Sequence, residues 1–395
     1  MNNNKRPPLW TKDFILVFIS NLLLFFSFYL LIPVLPFYLM DTLGIGGSVA
    51  GIVLALYTIS ALCIRPFSGF MVDMFSRKPL YLICYGFFCI IFAGYVVATT
   101  LMLFVVLRIL HGFAFGISTV SGNTVAVDIM PSERRGEGIG YFGMAANLAM
   151  AVGPMTGFWL HQHYSFDVLF YTAFFASLIG VFAIMMIKPI KKVIPDLASK
   201  QALSLDRFIL IKALPCVILL FIAGLGYSSV LNYIGVYSES APFTSNAGFF
   251  FIILSIGILT ARVISAKAIN NGKMVKMAII GACFLTISFV LFVFCYHAIM
   301  LYSIAFLFGI GLGYINPAFQ TMFINLAEHN QRGTANATYF TFWDLGIGLG
   351  TAIGGVIIDK FNFEFLYAIS AALLVLGIIF FATISASYFQ KNKLR

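Results

Sequence analysis

Charge is what this sequence has least of. Only 10% of its 395 residues are Asp, Glu, Lys or Arg, against 61% hydrophobic, and just 14 are acids. That balance excludes a soluble globular domain and a disordered chain alike, since neither can be made from so little polar material. Catalytic signatures are missing as well. There is no H-E-x-x-H, no G-x-S-x-G, no Walker lysine loop, and no carboxylate pair within one apolar segment. A membrane-embedded enzyme is therefore not expected. The six cysteines (63, 84, 89, 216, 283 and 295) fall in apolar segments without metal-ligand spacing. They read as small apolar residues, not as a disulfide or zinc framework, and neither a metal nor a cofactor is expected.

What the chain has in abundance is long hydrophobic runs. Twelve segments of 20 or more residues recur, from about 14–39 to about 363–389, each long enough to cross a bilayer as a helix. The leading MNNNKRPPLW runs straight into the first, which is expected to act as an uncleaved start-transfer helix. If the spans alternate, 20 of the 24 Lys and Arg fall on one side; Lys360 falls on the other, and Arg65, Arg108 and Arg262 lie inside spans. The positive-inside rule then places both termini in the cytoplasm of a multi-pass plasma (inner) membrane protein. The net charge of +10 is thus a topology signal, with a weak secondary attraction to anionic headgroups. It does not point to nucleic acid, because no basic patch is interleaved with stacking aromatics.

The chain also repeats itself. Shifted by 197 residues, Arg65 meets Arg262, Gly112 and Gly116 meet Gly309 and Gly313, and Gly153 and Gly157 meet Gly350 and Gly354. Arg135-Gly136 meets Arg332-Gly333 at the same offset. With 10 Arg in 395 residues, two Arg–Arg coincidences at one offset are not chance. The expected architecture is all-α: twelve transmembrane helices in two six-helix pseudo-symmetric bundles, residues 1–187 and 212–395, joined by a polar, basic cytoplasmic linker at 188–211. Two like halves about a central axis suit a rocking transporter with its substrate site near the midplane.

Several motifs carry a family resemblance. The connector after span two reads Gly69-x-x-x-Asp73-x-x-x-Arg77-Lys78, with Ser76 where Gly is usual; span one holds Pro33-Val34-Leu35-Pro36. Span four holds Arg108-Ile-Leu-His111-Gly112, and span five Ala149-x-x-x-Gly153-Pro154-x-x-Gly157-Phe158, with Ala149 and Phe158 in place of glycines. The chain resembles the major facilitator superfamily over essentially its full length, and within it the twelve-span drug:proton antiporter group. The resemblance implies that Asp73, steadied by Arg77, latches the cytoplasmic side against the positive N-terminus of span eleven. The plainer reading of the same residues is a solvated turn carrying topology charges. The second half has Asn270 and Met274 at the corresponding places, so a single latch is expected.

Asp344 is the one acid deep within a span, roughly 13 Å in by the helical rise. An intramembrane carboxylate is a functional candidate by default. Arg65 lies at similar depth, and an Arg65–Asp344 pair, mirrored by Arg262 and Asn147, would couple protonation of Asp344 to alternation. A purely structural pair, or direct substrate binding by Asp344, are the other readings. Arg108 is assigned by the resemblance to proton handling or cavity shape, or else bonds helix carbonyls. His111 either relays protons or packs. Tyr227, Asn232, Tyr233, Tyr237, Tyr339, Phe342 and Trp343 are candidates for cavity lining or for packing. Gly153, Gly157, Gly346, Gly350 and Gly354 put small residues on single helix faces, and Pro154 and Pro317 interrupt their spans. The sequence therefore points to a secondary transporter exporting a small molecule in exchange for protons. A proton-coupled uptake symporter of an anionic or zwitterionic solute is the alternative. A non-transporting sensor would need a signalling tail. Protons, a small-molecule substrate and the bilayer are the expected partners of a monomer.

Overall fold

The computed structural model describes residues 7–131, 134–188, 209–241, 246–327 and 332–394. Among these, twelve helices of 18 to 29 residues account for most of the chain and no strand occurs. The first six are α1 (Lys12–Leu31), α2 (Gly47–Met74), α3 (Arg77–Val96), α4 (Leu101–Ile129), α5 (Arg135–His163) and α6 (Phe166–Met186). The second six are α7 (Val217–Ser240), α8 (Ala247–Asn270), α9 (Met274–Val293), α10 (Ala298–Leu326), α11 (Arg332–Lys360) and α12 (Phe363–Phe380). A π turn carries α12 on into a last helix, Ala386–Asn392.

Several helices begin where the sequence supplies a cap. Thr11, Thr100 and Asn362 accept from the backbone N–H three residues on, at 3.3, 3.3 and 2.8 Å. Between the caps the helices are apolar all round. Helix α6 buries Phe170, Ala173, Ser177 and Ile184, yet its outer face shows Phe175, Ile179, Phe182 and Met186, each 56–58% accessible. Water would not tolerate that face; lipid does. Eleven helical stretches among the described residues are long and apolar enough to cross a membrane.

Packing divides the chain into two compact units, residues 1–32 with 60–200, and residues 33–59 with 201–395. In the first, α1 packs on α5 and α6, and α3 on α4 and α6. In the second, α7 packs on α11 and α12, and α9 on α10 and α12, which is the same scheme. The repeat holds down to single contacts. A Cβ on Gly116 would strike Ala61 and Ile64; 197 positions on, a Cβ on Gly313 would strike Ile258 and Ala261. The rings repeat too. Phe92 meets Tyr95 and His111, and Tyr95 meets Phe170; their counterparts Phe289, Phe292, Phe308 and Tyr367 make the same three contacts. All six cysteines are free thiols. The linker expected at 188–211 lies outside the described residues except for Lys188 and residues 209–211.

Candidate functional site

In the second unit, small residues let α11 approach α7 backbone to backbone. A Cβ on Gly350 would lie 2.5 Å from the Leu225 carbonyl, and one on Gly346 would collide with the Phe221 carbonyl. One turn on, polar groups lock the joint. Asn232 Nδ2 donates to Thr351 Oγ1 at 3.0 Å, and the Tyr233 hydroxyl donates to the Thr351 carbonyl at 2.8 Å. Gly354 faces the Tyr233 ring and Leu366.

The first turns of α2 join the same seam. A Cβ on Gly51 would lie 2.8 Å from the Tyr233 hydroxyl, 2.9 Å from the Thr351 carbonyl and 3.1 Å from Gly355 Cα, so the two backbones come close with the Tyr233 hydroxyl beside them. Just before it, Ser48 Oγ donates to Asp359 Oδ2 at 2.7 Å. Ser48 and Gly51 mark the sequence repeat, but neither they nor Thr351, Gly355 and Asp359 were candidate site residues. Gly-rich spacing was the available signal, but it was equally strong at many other positions.

The proposed lining residues are mostly occupied with packing. Tyr227 stacks on Trp343 at 5.5 Å and on Phe308 at 6.4 Å. Tyr237 meets Phe292, Phe363 and Tyr367 edge-on. Tyr227, Asn232, Tyr233, Tyr237 and Trp343 are all buried.

The intramembrane charges fall into two groups. Asp344 sits half-buried near the middle of the 29-residue α11. On the same helix the buried Tyr339 lies within electrostatic reach of both Asp344 and Arg262 of α8. Tyr339 thus shares its electrostatic surroundings with both charges. Arg65 is half-buried on α2, and Asn147 on α5 turns its amide back to the Gly143 carbonyl at 3.3 Å. In the first unit, Arg108 and His111 are buried on α4. His111 Nδ1 is hydrogen-bonded to the Tyr95 hydroxyl at 2.9 Å, and Tyr95 is also within hydrogen-bonding reach of Arg108. Phe88 and Phe92 close over the imidazole, with ring centroids at 4.5 and 4.6 Å. His111 therefore occupies a ring-packing position, filled by Phe308 in the second half.

At the opposite end of α2, the connector's basic residues are held by their own unit. Arg77 Nη1 donates to both carboxylate oxygens of Asp128, at 2.6 and 2.7 Å. Asp128 ends α4 and was not among the candidates. Lys78 Nζ donates to the Met185 carbonyl at 3.0 Å and to that of Ile187, neutralising the negative C-terminal end of α6. The side chains of Gly69 and Asp73 lie outside the described residues. On α5, a Cβ at Gly153 would meet Tyr29 and the Leu30 amide of α1, while Pro154 and Gly157 are buried beside it.

This architecture and its motifs have relatives. The family model described as Major Facilitator Superfamily matches residues 17–351 and 300–393. The chain belongs to the Major Facilitator Superfamily. Its curated relatives from this superfamily include quinolone resistance protein NorA of Staphylococcus aureus (strain MSSA476), 26% identical over 360 residues, covering 88% of this chain and 90% of that protein. Multidrug resistance protein 2 of Bacillus subtilis (strain 168) is 25% identical over 387 residues, covering 93% and 94%. Among solved structures, the peptide transporter POT in complex with alafosfalin superposes with a TM-score of 0.80 at 15% identity, covering 97% of this chain and 96% of that one. Nucleoside transporter NupG does so at 0.74 and 18%, covering 94% and 99%. These structures share the fold. As a member of this superfamily the chain is a multi-pass membrane transporter and not an enzyme.

Proposed function

We propose that this transporter exports a small molecule across the plasma (inner) membrane in exchange for protons, with both termini in the cytoplasm. Full-length similarity to two proteins named for drug resistance supports export over the uptake alternative. The observation that carries the coupling is Asp344, a carboxylate at mid-helix sharing its electrostatic surroundings with Tyr339 and Arg262. A group so placed binds or releases a proton according to which side of the membrane it senses. The two sequence halves, 1–187 and 212–395, are the bodies that rock.

In the proposed cycle Arg65 pairs with deprotonated Asp344 while the cytoplasmic side is shut, and Asp73 caps the N-terminus of α11 in that state. Protonation of Asp344 releases both. The seam of α2 against α11 at Ser48, Gly51, Gly355 and Asp359 is the seal of the opposite, external side. The protein works as a monomer.

Proteoliposomes carrying an imposed pH gradient test this reading. The wild type acidifies or alkalinises the lumen only when substrate is present. Asp344→Asn keeps substrate exchange without a gradient and loses gradient-driven accumulation. Unchanged accumulation in Asp344→Asn would sink the coupling scheme.

A further inference from the structure

A groove of about 540 Å³ opens where α9 begins. Its wall on α9 carries Lys273, Val275, Lys276, Ile279 and Ile280, and Gln390 of the last helix closes the other side. Gly272, at φ +76°, turns the chain sharply out of α8, with Gly272 N–H on the Ile269 carbonyl at 2.9 Å and Lys273 N–H on that of Ala268 at 3.0 Å. The far wall is anchored as well. Leu394 N–H reaches the Asn325 carbonyl at 2.8 Å, and Asn325 Nδ2 contacts Met274 Sδ at 3.4 Å. The groove is thus a built feature of three helix ends.

Its charge has one sign. No Asp or Glu occurs between Glu239 and Glu328, nor after Glu364, so the segments that line the groove contain no acid. Both lysines are exposed, and no carboxylate pairs with either among the described residues. Order along α9 matters more than charge alone. Lys273 and Lys276 are one turn apart on the helix face, and Ile279 and Ile280 follow three and four residues further on the same side. Cations at the membrane edge with aliphatic side chains one turn deeper match a phosphate followed by a hydrocarbon chain. Beyond the two lysines and Gln390 the lining is aliphatic, which suits an acyl chain better than a free anion. The groove also lies at the end of the helices where the chain's Lys and Arg gather, the side facing anionic lipids.

We propose that this groove binds one anionic phospholipid, with Lys273 and Lys276 on its headgroup phosphate and Val275, Ile279 and Ile280 along its acyl chain.

Native mass spectrometry of the delipidated full chain, supplied with phosphatidylglycerol or phosphatidylcholine at equal mole fraction, tests it. The expected result is a phosphatidylglycerol adduct several-fold more populated than the phosphatidylcholine one. The double change Lys273→Gln with Lys276→Gln abolishes that preference, while Lys273→Arg with Lys276→Arg keeps it. Both positions are exposed, and a single symmetrical size-exclusion peak verifies folding. Equal phosphatidylglycerol retention in the glutamine pair overturns the proposal. So does displacement of the lipid by millimolar inorganic phosphate, which would mark a soluble-anion site.

Discussion

At the scale of single residues, His111 has the surroundings of a packing residue. Its repeat partner is Phe308, its ring sits among Phe88 and Phe92, and its Nδ1 is engaged by Tyr95. His111→Phe is therefore expected to leave gradient-driven transport within about twofold of wild type. His111→Ala opens a cavity and lowers the melting temperature by several degrees. Abolished transport in a well-folded His111→Phe protein would restore a relay. Thr351 makes the opposite case, since sequence gave it no prominence although it accepts from Asn232 and its carbonyl from Tyr233. Thr351→Val strips one acceptor from a buried amide, and about 0.5–1.5 kcal/mol of stability should be lost. Chemical unfolding in a mixed-micelle titration reads that number.

Elements are where the sequence was both most and least informative. Bilayer thickness sets span length, so twelve helices and their order followed from hydrophobic runs alone. The repeat was legible because Arg is scarce in this chain, so two Arg–Arg matches at one offset stand out where glycine matches alone would not. Helix rotation was not legible. In a soluble helix the polar face identifies the buried one, but α6 is as greasy outside as inside, so periodicity gives no face. Arg77, which the resemblance sets beside Asp73, has its described ion pair with Asp128, 51 residues on, a partner that periodicity gave no means to find. Asp128→Asn should lower thermal stability, and Arg77→Asp with Asp128→Arg should recover part of the loss. No recovery in the swapped pair would show the bridge to be incidental. Close packing of α7 on α11 gives a harsher test. Gly350→Val drives methyl groups into the Leu225 carbonyl and should cost about 1–3 kcal/mol or more, read as lost monodispersity.

For the whole molecule, transport is the property at issue, and family membership fixes its class while the substrate stays with the cavity. The buried Tyr227–Trp343 stack and the Asn232 amide commit several polar aromatics to packing, which narrows what is left for a solute. Thermal stabilisation across a chemically broad panel, at two pH values, should pick out one solute class whose effect changes with pH in wild type but not in Asp344→Asn. A pH-dependent effect that survives in the variant would move the proton site elsewhere. Ser48→Ala and Asp359→Asn should each raise labelling of a cysteine introduced beside the proposed external seal, by weakening that contact. Unaltered labelling would reduce that hydrogen bond to decoration.

The junction at Gly51 and Gly355 has a kinetic corollary. Main chain comes close to main chain there, with only the Tyr233 hydroxyl alongside, so little side-chain freedom is left to give a half-parted joint. In the proposed cycle, opening there breaks the register in one step, and spin labels flanking it should report two separate distances with an empty interval between them.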